Sequence, residues 1–451
     1  MKVMQYSTNK YGEMMPYEIK EALYMSGTVT ARPAEKREYS GFLGFGVAIT
    51  GSSCYNLSLM KKSERRKLLE NIYGKDGLGL SVSRLSVGSS DYSAELYTYD
   101  DVNDDALLEH FSIARDEEYI IPIIKEILEI NPGLYLFASP WSPPGWMKTG
   151  GSACGGHMRD KYIECYADYF VKYIKAYGEH GIKIRAVTPQ NEPETSQSGR
   201  MPACVWNPQT EAEFIGVLKK KLDENALDVE IWIHDHSFEY SDRVDWQLTE
   251  YPGLRKDIGG AAFHYYGGSI EQTAYLTDKF DGLSLHFTEG GPRLYDHYDN
   301  DWCKWGIMIS KALNHDYRSF TGWNLMLDET GGPNIGPFFC GGLVTRNRDD
   351  GELSYSGQYK AFRHFSKYID VDSQIIPIEF DKGGYSMFEY SADRKPLIGT
   401  LVENADGVSA LMLINPNEAK TQIQFFYRGK WWYIELLPET LATVLFTGQE
   451  D

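Results

Sequence analysis

The chain has 451 residues, a formal net charge of −19, 42% hydrophobic residues and a 14% aromatic share. That length holds one large domain and a smaller one, and the acidic balance speaks against nucleic acid or anionic membrane surfaces as partners, because both require a basic patch. No apolar run reaches transmembrane length, and the scattered cysteines (Cys54, Cys154, Cys165, Cys204, Cys303, Cys340) form neither zinc-ligand spacing nor a disulfide framework.

At the start of the chain, Met1-Lys2-Val3-Met4-Gln5-Tyr6-Ser7 carries no apolar core of a secretory signal, so a cytoplasmic protein with free thiols is expected. The first forty residues contain no unit in which a strand is followed by a helix. From there on, eight strand-like runs alternate with helical patterns, at 41–50, 80–88, 134–141, 182–192, 229–236, 261–266, 283–289 and 320–327. Ile120, Ile123, Ile124, Ile127 and Leu128 recur at helical spacing between charges. Tyr166, Phe170, Tyr173, Ile174 and Tyr177 do the same, with Gly178 as the expected stop. Eight alternating units point to a parallel sheet closed into a (β/α)8 TIM barrel, an α/β fold, over 41–365. Beyond it, short β-like runs at 375–378, 396–401, 408–414, 423–427, 431–436 and 442–446 are separated by turn residues. They read as an all-β module over 366–451, to which residues 1–40 add a strand or two.

Two strand ends carry carboxyl groups. Thr188-Pro189-Gln190-Asn191-Glu192-Pro193 closes the fourth run and Thr288-Glu289-Gly290-Gly291 the seventh. A barrel gathers its catalytic groups at the C-terminal ends of its strands, so Glu192 and Glu289 are expected to face one another. Paired carboxyl groups are what glycoside hydrolysis needs: about 5 Å apart for a retaining route, farther apart for an inverting one. Around the same rim lie Arg84, suited to holding a carboxylate ionised, Asp91, suited to accepting sugar hydroxyls, and Trp141 in a proline-stiffened loop that also holds Trp146. His264-Tyr265-Tyr266 offers polar contacts, Trp323-Asn324 lies on the last run, and Gly331-Gly332-Pro333-Asn334 follows it. In His234-Asp235-His236, alternation along a strand puts both imidazoles on one face. A third ligand is lacking, so a metal is not expected.

Taken together, these motifs resemble glycoside hydrolase family 30, the clan A family that includes acid β-glucosylceramidase. The likeness runs through Phe45-Gly46-Val47-Ala48, Ser139-Pro140-Trp141, Thr188–Pro193, His264-Tyr265-Tyr266, Thr288-Glu289, Gly322-Trp323-Asn324-Leu325 and Gly331–Asn334, in order along the chain. The resemblance implies a barrel with a side β-sandwich built from both chain ends, with no cofactor. It makes Glu192 the general acid/base, Glu289 the nucleophile and Asn191 the holder of the substrate 2-hydroxyl. Asp91, Trp141, Trp323 and Asn334 match positions lining the glycone pocket, and Arg84, His264 and Tyr266 form its wall or second layer. One departure is Tyr265, where the glucosylceramidase branch has Trp. The expected activity is an exo-acting retaining β-glycosidase on short glycosides or small oligosaccharides, glucosidase-type first. β-Fucosidase, β-xylosidase, endo-β-1,6-glucanase and a non-catalytic carbohydrate-binding barrel are the alternatives.

Overall fold

The computed structural model describes residues 1–25, 28–35, 41–371, 373–381 and 395–448. It divides into two compact units, one of Phe45–Tyr295 with Ser319–Ser354, the other of Met1–Gly44, Asp296–Arg318 and Tyr355–Asp451.

Eight parallel strands close into a barrel: β1 Gly44–Ala48, β2 Val82–Val87, β3 Tyr135–Pro140, β4 Ile184–Val187, β5 Glu230–Ser237, β6 Gly260–His264, β7 Ser284–Glu289 and β8 Tyr317–Gly322. Helices cover the outside and side chains fill the inside, so these strands read as near-continuous buried runs instead of alternating ones. β6 and β7 are buried at every position. Gly46 on β1 is needed for closure: a Cβ there would lie 2.2 Å from the Val82 carbonyl oxygen.

Both helical patterns form. Ile120, Ile123, Ile124 and Ile127 are buried on the helix Asp116–Ile130, whose first turn holds Asp116, Glu117 and Glu118 against the positive end of the helix dipole. The five apolar and aromatic residues from Tyr166 to Tyr177 are buried on Ile163–Glu179. Gly178 does not end that helix but lies within it. The stop is Gly181, at φ 78°, where the chain leaves in the left-handed conformation that glycine adopts without strain.

Two strand expectations need correction. β4 ends at Val187, so Glu192 sits on a loop beyond it, at φ 50°, pinned by its backbone N–H to the Asp235 carbonyl at 3.0 Å. β8 ends at Gly322. Asn324, at φ 61°, breaks the run, and Met326–Asp328 pairs instead with Val344–Arg346 in a small separate sheet.

In the other unit, ten strands form one mixed sheet from both chain ends. The first forty residues supply four of them, Lys2–Asn9, Gly12–Glu18, Glu21–Ala22 and Val29–Pro33, more than the one or two expected. The sheet curls at Gln374–Asp381. That strand's first half, to Pro377, pairs with Ile398–Glu403, and its second half pairs with Val29–Pro33. The curl encloses an apolar core that includes Val3, Val29, Ile376, Leu411, Phe425, Trp432 and Phe446.

Candidate active site

The site is organised around one buried guanidinium. Arg84, on β2, donates from Nη1 to Glu289 Oε2, from Nη2 to Asp235 Oδ2 at 2.7 Å and Asn191 Oδ1 at 2.9 Å, and from Nε to Ser139 Oγ at 3.2 Å. Its planar fork is suited to holding several oxygens at fixed angles. The rings of Trp141 and Trp323 cover it at 4.8 and 5.6 Å, and they stack on each other with centroids 5.2 Å apart.

Two register shifts aim the polar groups. Between β5 and β6, Ala262 pairs with His234 and Phe263 with His236, leaving Asp235 as the extra residue of a bulge. Between β6 and β7, Phe263 pairs with Phe287 and His264 with Glu289, leaving Thr288 extra. A bulge re-aims a side chain at the rim of a barrel. Asp235 consequently reaches Arg84, accepts from Thr288 Oγ1 at 2.7 Å and from Thr188 and Ser139 hydroxyls at 2.8 Å, and lies 3.0 Å from His264 Nε2. The two imidazoles of His234-Asp235-His236 therefore do not act as a same-face pair. His234 turns its Nε2 toward the Ser237 carbonyl at 3.2 Å, and His236 lines the cavity.

His264 joins the two glutamates. Its Nδ1 lies 3.3 Å from Glu192 Oε1 and 3.9 Å from Glu289 Oε2. Glu192 Oε2 accepts from Gln197 Nε2 at 2.8 Å, and His236 Nδ1 lies 3.9 Å from Glu192 Oε1. Asn191 gives its Oδ1 to Arg84, which leaves its amide N–H group as the donor for a ligand.

Electrostatics follow from burial and these contacts. Burial disfavours the His264 cation, but the charges of Glu289 and Asp235 and its hydrogen bonds outweigh this and raise its pKa to about 9. Burial raises Glu192, yet the His264 hydrogen bond and the nearby imidazoles bring it down to about 2. These two shifts describe one proton shared along a single hydrogen bond, so they belong to the pair. Burial raises the Glu289 carboxyl, with the Glu192 charge adding to it against the pull of His264 and Arg84. Burial is also the main cause of the raised Asp91 carboxyl, followed by the charges of Glu289 and Glu192.

The two carboxyl groups open on a cavity of about 240 Å³ lined by Asp91, Trp141, Asn191, His236, Tyr266 and Trp323, among others. Gly291, just past Glu289, lets Trp323 close over it: a Cβ there would lie 2.9 Å from Trp323 Cβ. The profile of the glycosyl hydrolase family 30 TIM-barrel domain matches residues 42–369.

The chain belongs to glycoside hydrolase family 30.

It is therefore a glycosidase of a retaining O-glycosyl hydrolase family, acting on carbohydrate. It is 30% identical to putative glucosylceramidase 3 of Caenorhabditis elegans, over 88% of this chain and 82% of that one. It is 28% identical to an endo-1,6-β-D-glucanase of Neurospora crassa, over 82% of this chain and 78% of that one. Among solved structures, an endo-β1,6-glucanase superposes with a TM-score of 0.84 at 28% identity, covering 99% of this chain and 100% of its own. No helix among the described residues is long and apolar enough to cross a membrane.

Within this family 30 barrel, Glu192, Glu289, Asn191, Asp91, Trp141, Tyr266 and Trp323 meet at one cavity. Arg84 and His264 stand behind its wall. Asn334 lies on the adjoining loop, where its amide bonds the Phe338 carbonyl and the Gly336 N–H, and Ile335 N–H bonds the Asp91 carbonyl. Tyr265 donates to the Gly291 carbonyl at 3.1 Å. Trp146 donates to the Asp100 carbonyl at 2.9 Å and packs edge-on against Tyr162, as a loop cover does. Asp235, His236 and Gln197 were not legible as site residues. Asp235 depends on a bulge that strand alternation hides, and Gln197 reaches Glu192 only through the loop after β4. The third metal donor that the His234/His236 pattern lacks is present in another grouping, Glu192 with His236 and His264.

Proposed function

We propose that the protein is an exo-acting β-glucosidase that hydrolyses short β-glycosides by double displacement between Glu289 and Glu192. The observation that carries this is the meeting of both carboxyl groups at His264 Nδ1, at the end of a cavity lined by Asp91, Trp141 and Trp323. At about 240 Å³ the cavity is smaller than the ~300–1,000 Å³ pockets that enclose drug-sized ligands. It accommodates a single sugar ring, with the aglycone toward Gln197 and Tyr240.

In the first step a Glu289 oxygen bonds to the anomeric carbon as the bond to the leaving oxygen breaks. The proton shared by Glu192 and His264 goes through Glu192 to that oxygen. With the proton on Glu192, the negative charge that raises Glu289 is gone and Arg84 holds Glu289 as the carboxylate that attacks. In the second step Glu192 takes a proton from water, the water oxygen bonds to the anomeric carbon, and Glu289 leaves. The sugar departs with its β configuration.

The test is Glu289→Ala assayed on a nitrophenyl β-glucoside. Turnover should fall by at least ~10³-fold, and added azide should restore it with an α-glycosyl azide as product. Hydrolysis near the wild-type rate without azide would sink the assignment. A second reading, endo-β-1,6-glucanase, is favoured by the full-length superposition on a protein of that name. Reduced β-1,6-linked oligosaccharides separate the two: glucose released one unit at a time supports exo cutting, and internal fragments support endo cutting.

A further inference from the structure

We propose that Glu192, His236 and His264 form an inhibitory binding site for a divalent transition-metal ion of the zinc type. One donor atom from each lies within 4.8 Å of the others. Glu192 Oε1 is at the centre, 3.3 Å from His264 Nδ1 and 3.9 Å from His236 Nδ1. Tetrahedral coordination at ~2.1 Å places neighbouring ligands ~3.4 Å apart, so modest side-chain rotations close the site. Two imidazoles and a carboxylate, with a fourth position open to the cavity, are a donor set that zinc accepts in hydrolytic enzymes.

Two further observations point to a ligand. His236 is 5% exposed, yet neither ring nitrogen has a hydrogen-bond partner among the described residues. A buried imidazole without a hydrogen bond loses its hydration, and His236 has only the Glu192 carboxylate at 3.9 Å in return; a metal ion in the cavity would supply the missing contact. Behind the site, His264 Nε2 faces Asp235 Oδ1 at 3.0 Å. A carboxylate on the far nitrogen is the arrangement that orients metal-bound histidines and increases their basicity.

The ion would occupy the Glu192 oxygen that hydrolysis uses to move a proton. It would therefore block turnover, and it would stand where a leaving group or water must pass. The inhibition rests on the proposed function, but metal binding can be measured independently of it.

Calorimetry of the chelator-treated full chain with Zn²⁺ should show one site per chain. Co²⁺ should give visible bands of four-coordinate cobalt without a near-ultraviolet thiolate band. Zn²⁺ should inhibit hydrolysis of a nitrophenyl β-glucoside, with full recovery on adding EDTA. His236→Gln should raise the inhibitory concentration at least ~10-fold. Glu192→Gln, measured by calorimetry alone, should lose the site, which decides the matter if His236→Gln does not fold. The proposal is overturned by no Zn²⁺ binding at millimolar concentration or by unchanged binding in both variants. It is equally overturned if Cys340→Ser abolishes the inhibition, because the cavity-wall thiol would then be the target.

Discussion

His264 stands between Asp235 and Glu192, with Nε2 3.0 Å from Asp235 Oδ1 and Nδ1 3.3 Å from Glu192 Oε1. Asp235 is held far below the usual carboxylate range: burial opposes this, but the charges of Arg84 and His264 prevail. The fixed negative charge keeps a proton on the imidazole, next to the carboxyl that delivers one in the proposed mechanism.

This relationship sets the pH dependence. The Glu192/His264 pair holds its proton below the raised His264 value of about 9 and loses it above. The basic limb of kcat/KM, measured with EDTA present, should therefore fall near pH 9. The acidic limb should follow protonation of Glu289, above the ordinary carboxylate value because burial raises it. In His264→Gln the basic limb should move to lower pH, since Glu192 then holds the proton alone. Activity at neutral pH should drop by about 10²-fold. An unmoved basic limb would assign the titration to another group.

Arg84→Lys keeps the charge and removes the fork. One ammonium cannot reach Glu289, Asp235, Asn191 and Ser139 together. A misplacement of about 1 Å at a reacting group costs about 10²-fold, so kcat/KM should fall by that order while the protein stays folded by circular dichroism. Retention of activity within twofold would show that charge alone suffices.

Asp91 is buried, and its carboxyl is raised by that burial and by Glu289 and Glu192. A neutral carboxyl is mimicked by an amide. Asp91→Asn should keep kcat/KM within about tenfold, whereas Asp91→Ala, which removes the group proposed to pair with sugar hydroxyls, should cost about 1–3 kcal/mol. Equal loss in both variants would show that the ionised form is required.

Away from the site, Asp116 accepts hydroxyls from Tyr97, Tyr99 and Tyr177, each at 2.6 Å. An amide in its place would offer one oxygen instead of two and leave at least one buried phenol O–H without its acceptor. Asp116→Asn should lower the unfolding free energy by about 1–3 kcal/mol, read from urea denaturation. A loss below about 0.5 kcal/mol would show that the phenols rearrange.

Much of the fold was legible because it repeats. Eight buried runs between helical faces specify a barrel, and the Ile120–Ile127 and Tyr166–Tyr177 faces lie where periodicity puts them. Boundaries were less legible where a local conformation intervenes. Glu192 at φ 50° and Asn324 at φ 61° leave the strand direction, and nothing in residue type alone shows that they do. Gly178 has the composition of a helix stop, but Gly181 has the conformation of one.

By itself the sequence determined the barrel and the family and singled out the two glutamates as candidates, because each rests on residue type at a spacing along one chain. Only the tertiary structure decided that Asp235 points inward, that His264 joins the carboxyl groups and that the His236 ring nitrogens find no hydrogen-bond partner among the described residues. A bulge exists only between neighbouring strands: Asp235 and Thr288 are extra residues relative to β6, and no pattern within β5 or β7 alone reveals the register of the strand beside it.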